Sequence, residues 1–182
     1  MSTDVERSKF LSYVLRHAPE SVGLTLDAQG WVSVETLLAA LAKHGEAWTR
    51  IELETLVETS DKQRFAFSDN RTRVRAQQGH SVRVDLDYPV AEPPAVLFHG
   101  TATRFLESIR REGLVAGDRH AVHLSESREV AHVVGQRHGS PRVLEVRAAE
   151  MAAEGYVFRR TPNSVWLVSD VPARFIQERK PT

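Results

Sequence analysis

The sequence predicts an α+β fold in two lobes, and three observations carry that reading. Up to Val57 the apolar residues recur with helical spacing, from Arg64 to Ala76 they alternate as in two short strands, and beyond Pro94 short β-branched runs mix with helical stretches. Between these textures, Asp85 to Pro94 carries Pro89, Pro93 and Pro94, the composition of a linker. The boundary is placed to give segments 1–88 and 89–182, with a cleft expected between the lobes.

In the first segment Ser8 to Arg16 is predicted as a short helix, because Phe10, Leu11, Val14 and Leu15 fall on one face. Pro19 disfavours helical geometry at Ala18, so the helix stops there and leaves Arg16 and His17 at its C-terminal end. The helix dipole at that end favours a protonated imidazole. After a turn at Gly30, Ser33 is the N-cap of a second helix marked by Leu37, Leu38 and Leu41. Thr49-Arg50-Ile51-Glu52 fits a capping box and opens a third helix reaching to about Val57. Phe65 and Phe67 then face one side of a strand, with Arg64 on the other. Past a turn at Asp69-Asn70, Arg71, Arg73 and Arg75 alternate with Thr72, Val74 and Ala76. Three helices and a two-stranded wing outline a winged-helix module, a topology that commonly binds nucleic acid but does not by itself establish it.

In the second segment Ala95-Val96-Leu97-Phe98 is predicted as a buried strand ending on His99-Gly100-Thr101. A helix containing Phe105, Leu106 and Ile109 closes at Gly113. Further strands are predicted at Val122 to Leu124, Val143 to Val146, Val157-Phe158 and Val165 to Val168, with a helix from about Ser127 to Gln136 among them.

Composition narrows the function. The chain has 182 residues, enough for a real core, and its 41% hydrophobic and 26% charged residues are those of a soluble globular protein. No apolar run approaches the roughly 20 residues of a membrane span, and Met1 to Arg7 holds no signal-peptide core. Without cysteine there is no disulfide, thiolate metal site or thiol nucleophile. A cytoplasmic monomer is the expectation. Zero net charge argues against a broadly basic nucleic-acid binder. Locally, however, Lys62, Arg64, Arg71, Arg73, Arg75 and Arg83 stand against Asp69 alone. That stripe either follows a phosphate backbone or is a solvated hairpin face.

Four polar strings carry the chemistry: Leu15-Arg16-His17, Ser60-Asp61-Lys62-Gln63-Arg64-Phe65, His99-Gly100-Thr101 and Arg119-His120-Ala121-Val122-His123-Leu124-Ser125. They supply arginines, histidines and small hydrogen-bonding groups, with no paired carboxylates. Arginine's planar fork grips phosphate at two points, so converging arginines trap a dense anion and stabilise charge in phosphoryl chemistry without a protein nucleophile. Each string alone also has a plainer reading. Arg16 can be a solvated helix cap, His17 a surface residue and Arg64 an exposed wing residue. His-Gly-Thr can be a chance tripeptide, although its glycine lets a ligand approach the backbone closely. No metal site is expected. His120 and His123, three apart on a strand, point to opposite faces, and no cysteine or clear carboxylate completes a set with His132 and His138.

Taken in order, the strings resemble the RNA 2′-phosphotransferase family, NAD-dependent enzymes that remove the splice-junction 2′-phosphate from tRNA. The resemblance begins at Ser8-Lys9-Phe10-Leu11-Ser12-Tyr13-Val14-Leu15-Arg16-His17. It continues through the other strings and through Gln78-Gly79-His80-Ser81, Gly139-Ser140-Pro141 and Asn163-Ser164-Val165-Trp166-Leu167, covering roughly Ser8 to Phe175. It implies an N-terminal winged-helix RNA lobe and a C-terminal lobe like the ADP-ribosyltransferases. It also implies a catalytic group of Arg16, His17, Arg64 and Arg119. NAD, consumed as co-substrate, is implied to sit against His99, Gly100, Thr101, Ser125, His138 and Gly139. Lys62, His80 and Ser81 are implied to bind the RNA.

The implied reaction has two steps. The RNA 2′-phosphate attacks the anomeric carbon of the nicotinamide ribose, releasing nicotinamide and leaving ADP-ribose on the phosphate. The ribose 2″-hydroxyl then attacks phosphorus, giving 2′-OH RNA and ADP-ribose 1″,2″-cyclic phosphate. Many ADP-ribosyltransferases carry a catalytic glutamate in the last motif, whereas Asn163 to Trp166 has no carboxylate, which fits a substrate that is itself the nucleophile. Two other readings stay open: ADP-ribosylation of terminal RNA or DNA phosphates, and a non-catalytic winged-helix regulator.

Overall fold

The computed structural model describes residues 3–60 and 62–178; Asp61, inside the second string, lies outside them. The chain is α+β and forms two compact units that divide between Asp87 and Tyr88. No helix among the described residues is long and apolar enough to cross a membrane.

In the first unit α1 spans Asp4–Arg16, starting ahead of the predicted Ser8 because Thr3 and Glu6 make a capping box: the Thr3 N–H donates to Glu6 Oε2 (2.7 Å) and the Glu6 N–H to Thr3 Oγ1 (3.2 Å). Pro19 opens a single 3-10 turn, closed by Gly23 in the left-handed region (φ +72°). A strand too short to show alternation, β1 (Val32–Ser33), leads into α2 (Val34–Lys43), which Ser33 caps through the Thr36 N–H. Helix α3 spans Arg50–Thr59 under the Thr49–Glu52 capping box. β2 (Phe65–Phe67) and β3 (Arg73–Ala76) follow, and the sheet has three strands in the order β1-β3-β2, not the two predicted. Its register pairs Val32 with Val74 and Phe65 with Ala76. Leu11, Val14 and Leu15 of α1 bury against Leu37, Leu41, Leu53, Phe65 and Val74, so α1 is fixed along its apolar side.

Tyr88 opens the second unit, buried and with its carbonyl accepting a hydrogen bond from Arg159. The elements are β4 (Leu97–Ala102), α4 (Leu106–Glu112), β5 (Leu114–Val115), β6 (Val122–Ser125), α5 (Arg128–Gln136), β7 (Pro141–Val146), α6 (Ala148–Ala153), β8 (Arg159–Arg160), β9 (Val165–Val168), β10 (Asp170–Val171) and β11 (Ile176–Glu178). Six strands form an antiparallel sheet in the order β11-β7-β4-β6-β9-β8; β5 and β10 pair separately. Two strand predictions shift. The strand predicted to end on His99-Gly100-Thr101 instead runs through them. The pair Val157-Phe158 precedes its strand: Phe158 is buried in the core, and the ladder is made by Arg159 and Arg160 with Leu167 and Trp166.

Helix α5 packs on β4 at very short range. A Cβ on Gly100 would lie 1.7 Å from the Ala131 carbonyl oxygen, and one on Gly135 would lie 2.6 Å from the Thr101 oxygen. Only glycine at both positions allows this backbone-to-backbone contact. The close approach that Gly100 permits is therefore the approach of α5, on the side of the strand where a side chain would stand.

Candidate active site

In the first unit Pro19 ends α1, and His17 is its C-cap, as its sequence position implied. The loop Gly79–Val82 returns to that helix end from far along the chain. The N–H groups of Ser81 and Val82 both donate to the Arg16 carbonyl (2.9 and 3.2 Å), satisfying a helix-end acceptor that has no partner within the helix. Ser81 Oγ sits 2.8 Å from His17 Nδ1 and fixes the ring. Gly79, in the left-handed region (φ +87°), runs flat against Arg16: a Cβ there would lie 3.5 Å from the guanidinium carbon. Arg16, His17 and Ser81 thus form one cluster, built from a helix terminus and a loop.

Arg64 lies half-buried just before β2, and its Nη1 donates to Ser8 Oγ (3.4 Å), two turns up α1 from Arg16. Ser8, buried on the helix, was not among the residues singled out from the sequence, though it opens the first family string. Lys62 is exposed in the turn leading to Arg64. His80 is 2% exposed and packs inside the unit, its Nε2 in contact range of Gly30, with Val84 and Leu86 beside it; the structure places its ring in the core of the loop, away from the surface that Ser81 occupies.

The basic stripe is largely engaged within the unit. Arg71 pairs with Glu58 (2.7 Å) and Arg73 with Asp27 (3.4 Å), while Arg75 donates to the carbonyls of Gln29 and Leu86. Arg73 and Arg75 also lie over the Trp31 ring, 5.4 and 4.4 Å from its centroid. Arg71 is thus tied to α3, and Arg73 and Arg75 to the loop that runs from Asp27 to Trp31.

In the second unit β4 pairs with β7 over six residue pairs but with β6 only at Phe98–Ser125. Beyond that pair β4 and β6 diverge, and the His99 imidazole bridges the opening, with Nδ1 2.9 Å from the His123 carbonyl oxygen. A carbonyl only accepts, so Nδ1 carries the hydrogen. Burial pushes the His99 pKa down, and the positive charges of His138 and Arg119 push it further, against the opposing effect of the His123 bond. His99 is therefore neutral at pH 7, which leaves Nε2 as an acceptor. Arg119 ends a 3-10 turn and is exposed; His120 follows with φ +66° and lies outside the strand, so the opposite-face argument for His120 and His123 has no strand beneath it.

Arg119 and His138 each lie within electrostatic reach of His99. The His138 ring meets Phe105 edge-on (6.4 Å between centroids), and Arg104 lies 4.6 Å over Phe105. Gly139 adopts φ +138° beside Ala102, at the end of β4. Thr101 is buried on the face of His99, whereas the register puts Ser125 on the opposite face with Phe98, toward α5. A carboxylate also stands by the last family string. Glu126 Oε1 accepts from Trp166 Nε1 (2.8 Å) and Arg160 Nε (2.9 Å), and these two donors hold its pKa below the usual carboxylate value.

Arginines, imidazoles and hydroxyls at the ends of α1 and β4, on an α+β fold, define a protein whose donors suit phosphate esters. The model of the family described as RNA 2′-phosphotransferase, Tpt1 / KptA family, matches residues 2–170, and the chain belongs to that family. Among its relatives, a probable RNA 2′-phosphotransferase of Pseudomonas aeruginosa is 53% identical over 174 residues, covering 95% of this chain and 96% of the relative. One from Agrobacterium fabrum is 56% identical over 169 residues (93% and 91%), and one from Streptomyces coelicolor 53% over 173 residues (95% and 94%).

Proposed function

We propose that this protein removes an internal 2′-phosphate from RNA, as at a tRNA splice junction, by transferring it to NAD. The products are 2′-OH RNA, nicotinamide and ADP-ribose 1″,2″-cyclic phosphate. The observation that carries the reading is the family match over nearly the whole chain, joined to the Arg16–His17–Ser81 cluster inside it. In this reading the first unit is a winged-helix RNA lobe and the second an ADP-ribosyltransferase-like lobe.

The residue set suits the chemistry. A phosphate monoester, with a second pKa of about 6, arrives largely ionised and needs no strong base to act as nucleophile. Arg16, Arg64 and Arg119 hold that phosphate and offset the charge of two anionic substrates. In the second step the RNA 2′-oxygen leaves and needs a proton. A protonated His17 donates Nδ1–H to Ser81 Oγ, which aims Nε2–H at the leaving oxygen. On the NAD side, neutral His99 offers Nε2 as acceptor for a ribose hydroxyl, and the Arg119 guanidinium suits a diphosphate.

The test is incubation of the protein with a short RNA carrying one internal 2′-phosphate, with and without NAD. NAD-dependent loss of the phosphate with formation of the cyclic phosphate is expected. Stable ADP-ribosylated ends, or no turnover by a folded protein, would overturn the proposal. Within the same assay Arg119→Ala is expected to slow the second step by roughly 10²–10³, the usual cost of one preorganised donor.

A further inference from the structure

Arg64 sits in a loop that lacks regular structure, yet its backbone is held at three consecutive carbonyls by one residue that no motif singled out. The Gln77 side chain, from a residue 4% exposed, donates Nε2–H to the Gln63 carbonyl (2.5 Å) and, at longer range, to the Phe65 carbonyl (3.5 Å). The backbone N–H of Gln77 donates to the Arg64 carbonyl between them (2.9 Å). The loop has reason to need such a clamp. Gln63 is in the left-handed region (φ +46°), a conformation unfavourable for a residue with a Cβ, and it is the residue immediately before Arg64. Two further bonds tie the loop to Ser60, from the Gln63 N–H to its carbonyl (3.0 Å) and from the Arg64 N–H to its Oγ (3.4 Å).

We infer that Gln77 is a positioning residue for Arg64: it fixes the strained loop so that the guanidinium is presented in one place beside α1 without itself touching the substrate. The inference rests on the reading of Arg64 as a phosphate-holding residue given above. A buried amide that donates to main-chain carbonyls on either side of a functional arginine has its effect through that arginine's placement. The same residue continues into Gln78-Gly79-His80-Ser81, so β3 and the loop after it serve both ends of the phosphate-holding set: Gln77 for Arg64, Ser81 for His17.

The test is a double-mutant cycle on the full chain, reading the affinity for a short RNA with one internal 2′-phosphate in the absence of NAD, against the same RNA with a 2′-hydroxyl. Gln77→Met keeps the volume and removes both side-chain donors; it is expected to weaken binding of the phosphorylated RNA by roughly tenfold while leaving the hydroxyl RNA little changed. In an Arg64→Ala background the same change is expected to add nothing, because the residue it positions is gone. Equal weakening in both backgrounds, or no weakening in either, overturns the inference. If Arg64→Ala binds both RNAs as the unaltered protein does, the functional reading of Arg64 itself fails, and the two failures are thereby told apart. Should Gln77→Met not fold, as judged by its thermal unfolding, Gln77→Asn keeps the amide at a shorter reach; a loss with Asn that vanishes without Arg64 supports the inference, and unchanged binding overturns it.

Discussion

Gly100→Ala separates two roles that the His-Gly-Thr string could serve. The added methyl would lie 1.7 Å from the Ala131 oxygen, 2.7 Å from the Ala131 carbon and 2.8 Å from the Gly135 nitrogen, all backbone atoms of α5. No rotamer change relieves such contacts, so α5 must lift from β4 by more than 1 Å, an estimate set by close-packed contact distances. Overpacking of this kind costs typically 1–3 kcal/mol, and with backbone on both sides the upper end, about 3 kcal/mol, is expected. In a domain the size of the second unit that lowers Tm by roughly 12–24 °C. Differential scanning calorimetry of the full chain measures it. Gly135→Ala, whose methyl would meet Thr101 at 2.6 and 3.2 Å, should shift Tm in the same direction by less. A Gly100→Ala protein with unaltered Tm but weakened NAD binding would refute the packing account and return the glycine to the ligand.

Three further changes follow from the geometry. Ser81→Ala removes the group 2.8 Å from His17 Nδ1, and a turnover about tenfold slower with a Tm within a few degrees is expected, comparing single-turnover rates with thermal melts. Ser164 has φ +65°, so Ser164→Gly relieves strain at the loss of one exposed bond from Arg160; a gain of about 0.5–1 kcal/mol in urea unfolding is expected. His99 has its pKa lowered from 6.5 in the folded chain. Below pH 6.5 the unfolded state binds a proton that the folded state does not, so stability falls as pH drops from there toward the folded pKa. His99→Gln should flatten that dependence in melts between pH 7.5 and 5, and an unchanged slope would count against a buried neutral imidazole.

The parts of the fold that were legible in the sequence were local. Pro19 sits next to the helix end it creates, and Thr49–Glu52 and Ser33 mark their helix starts within one turn. The Arg16–His17 end could be read for the same reason. What completes it could not: Ser81 is 64 residues from His17, and no periodicity announces a loop that returns to cap a helix. Gly100 was read as room for a ligand because its neighbour Ala131 lies on a later helix, and only the packing shows which backbone comes close. Strand β1 is two residues long, too short to alternate, and α6, built around Ala148, Ala149, Ala152 and Ala153, has no apolar stripe distinct from its surroundings. Gln77 lay beside a matched motif but outside it, and its contacts are with main chain, which leaves no trace in residue type at the other end.

The engaged arginines of the hairpin bear on how such a protein tells one RNA position from many. A cation that already neutralises Glu58 or Asp27, or that is bound to carbonyls, displaces few condensed counterions when RNA arrives. Each phosphate contact that does form contributes about −0.7 to the slope of log affinity against log salt concentration on a single strand. In the proposed function, with Arg71, Arg73 and Arg75 engaged within their own unit, ordinary backbone adds less to that sum. Selectivity then falls to the one extra, doubly charged group that an unmodified strand does not have.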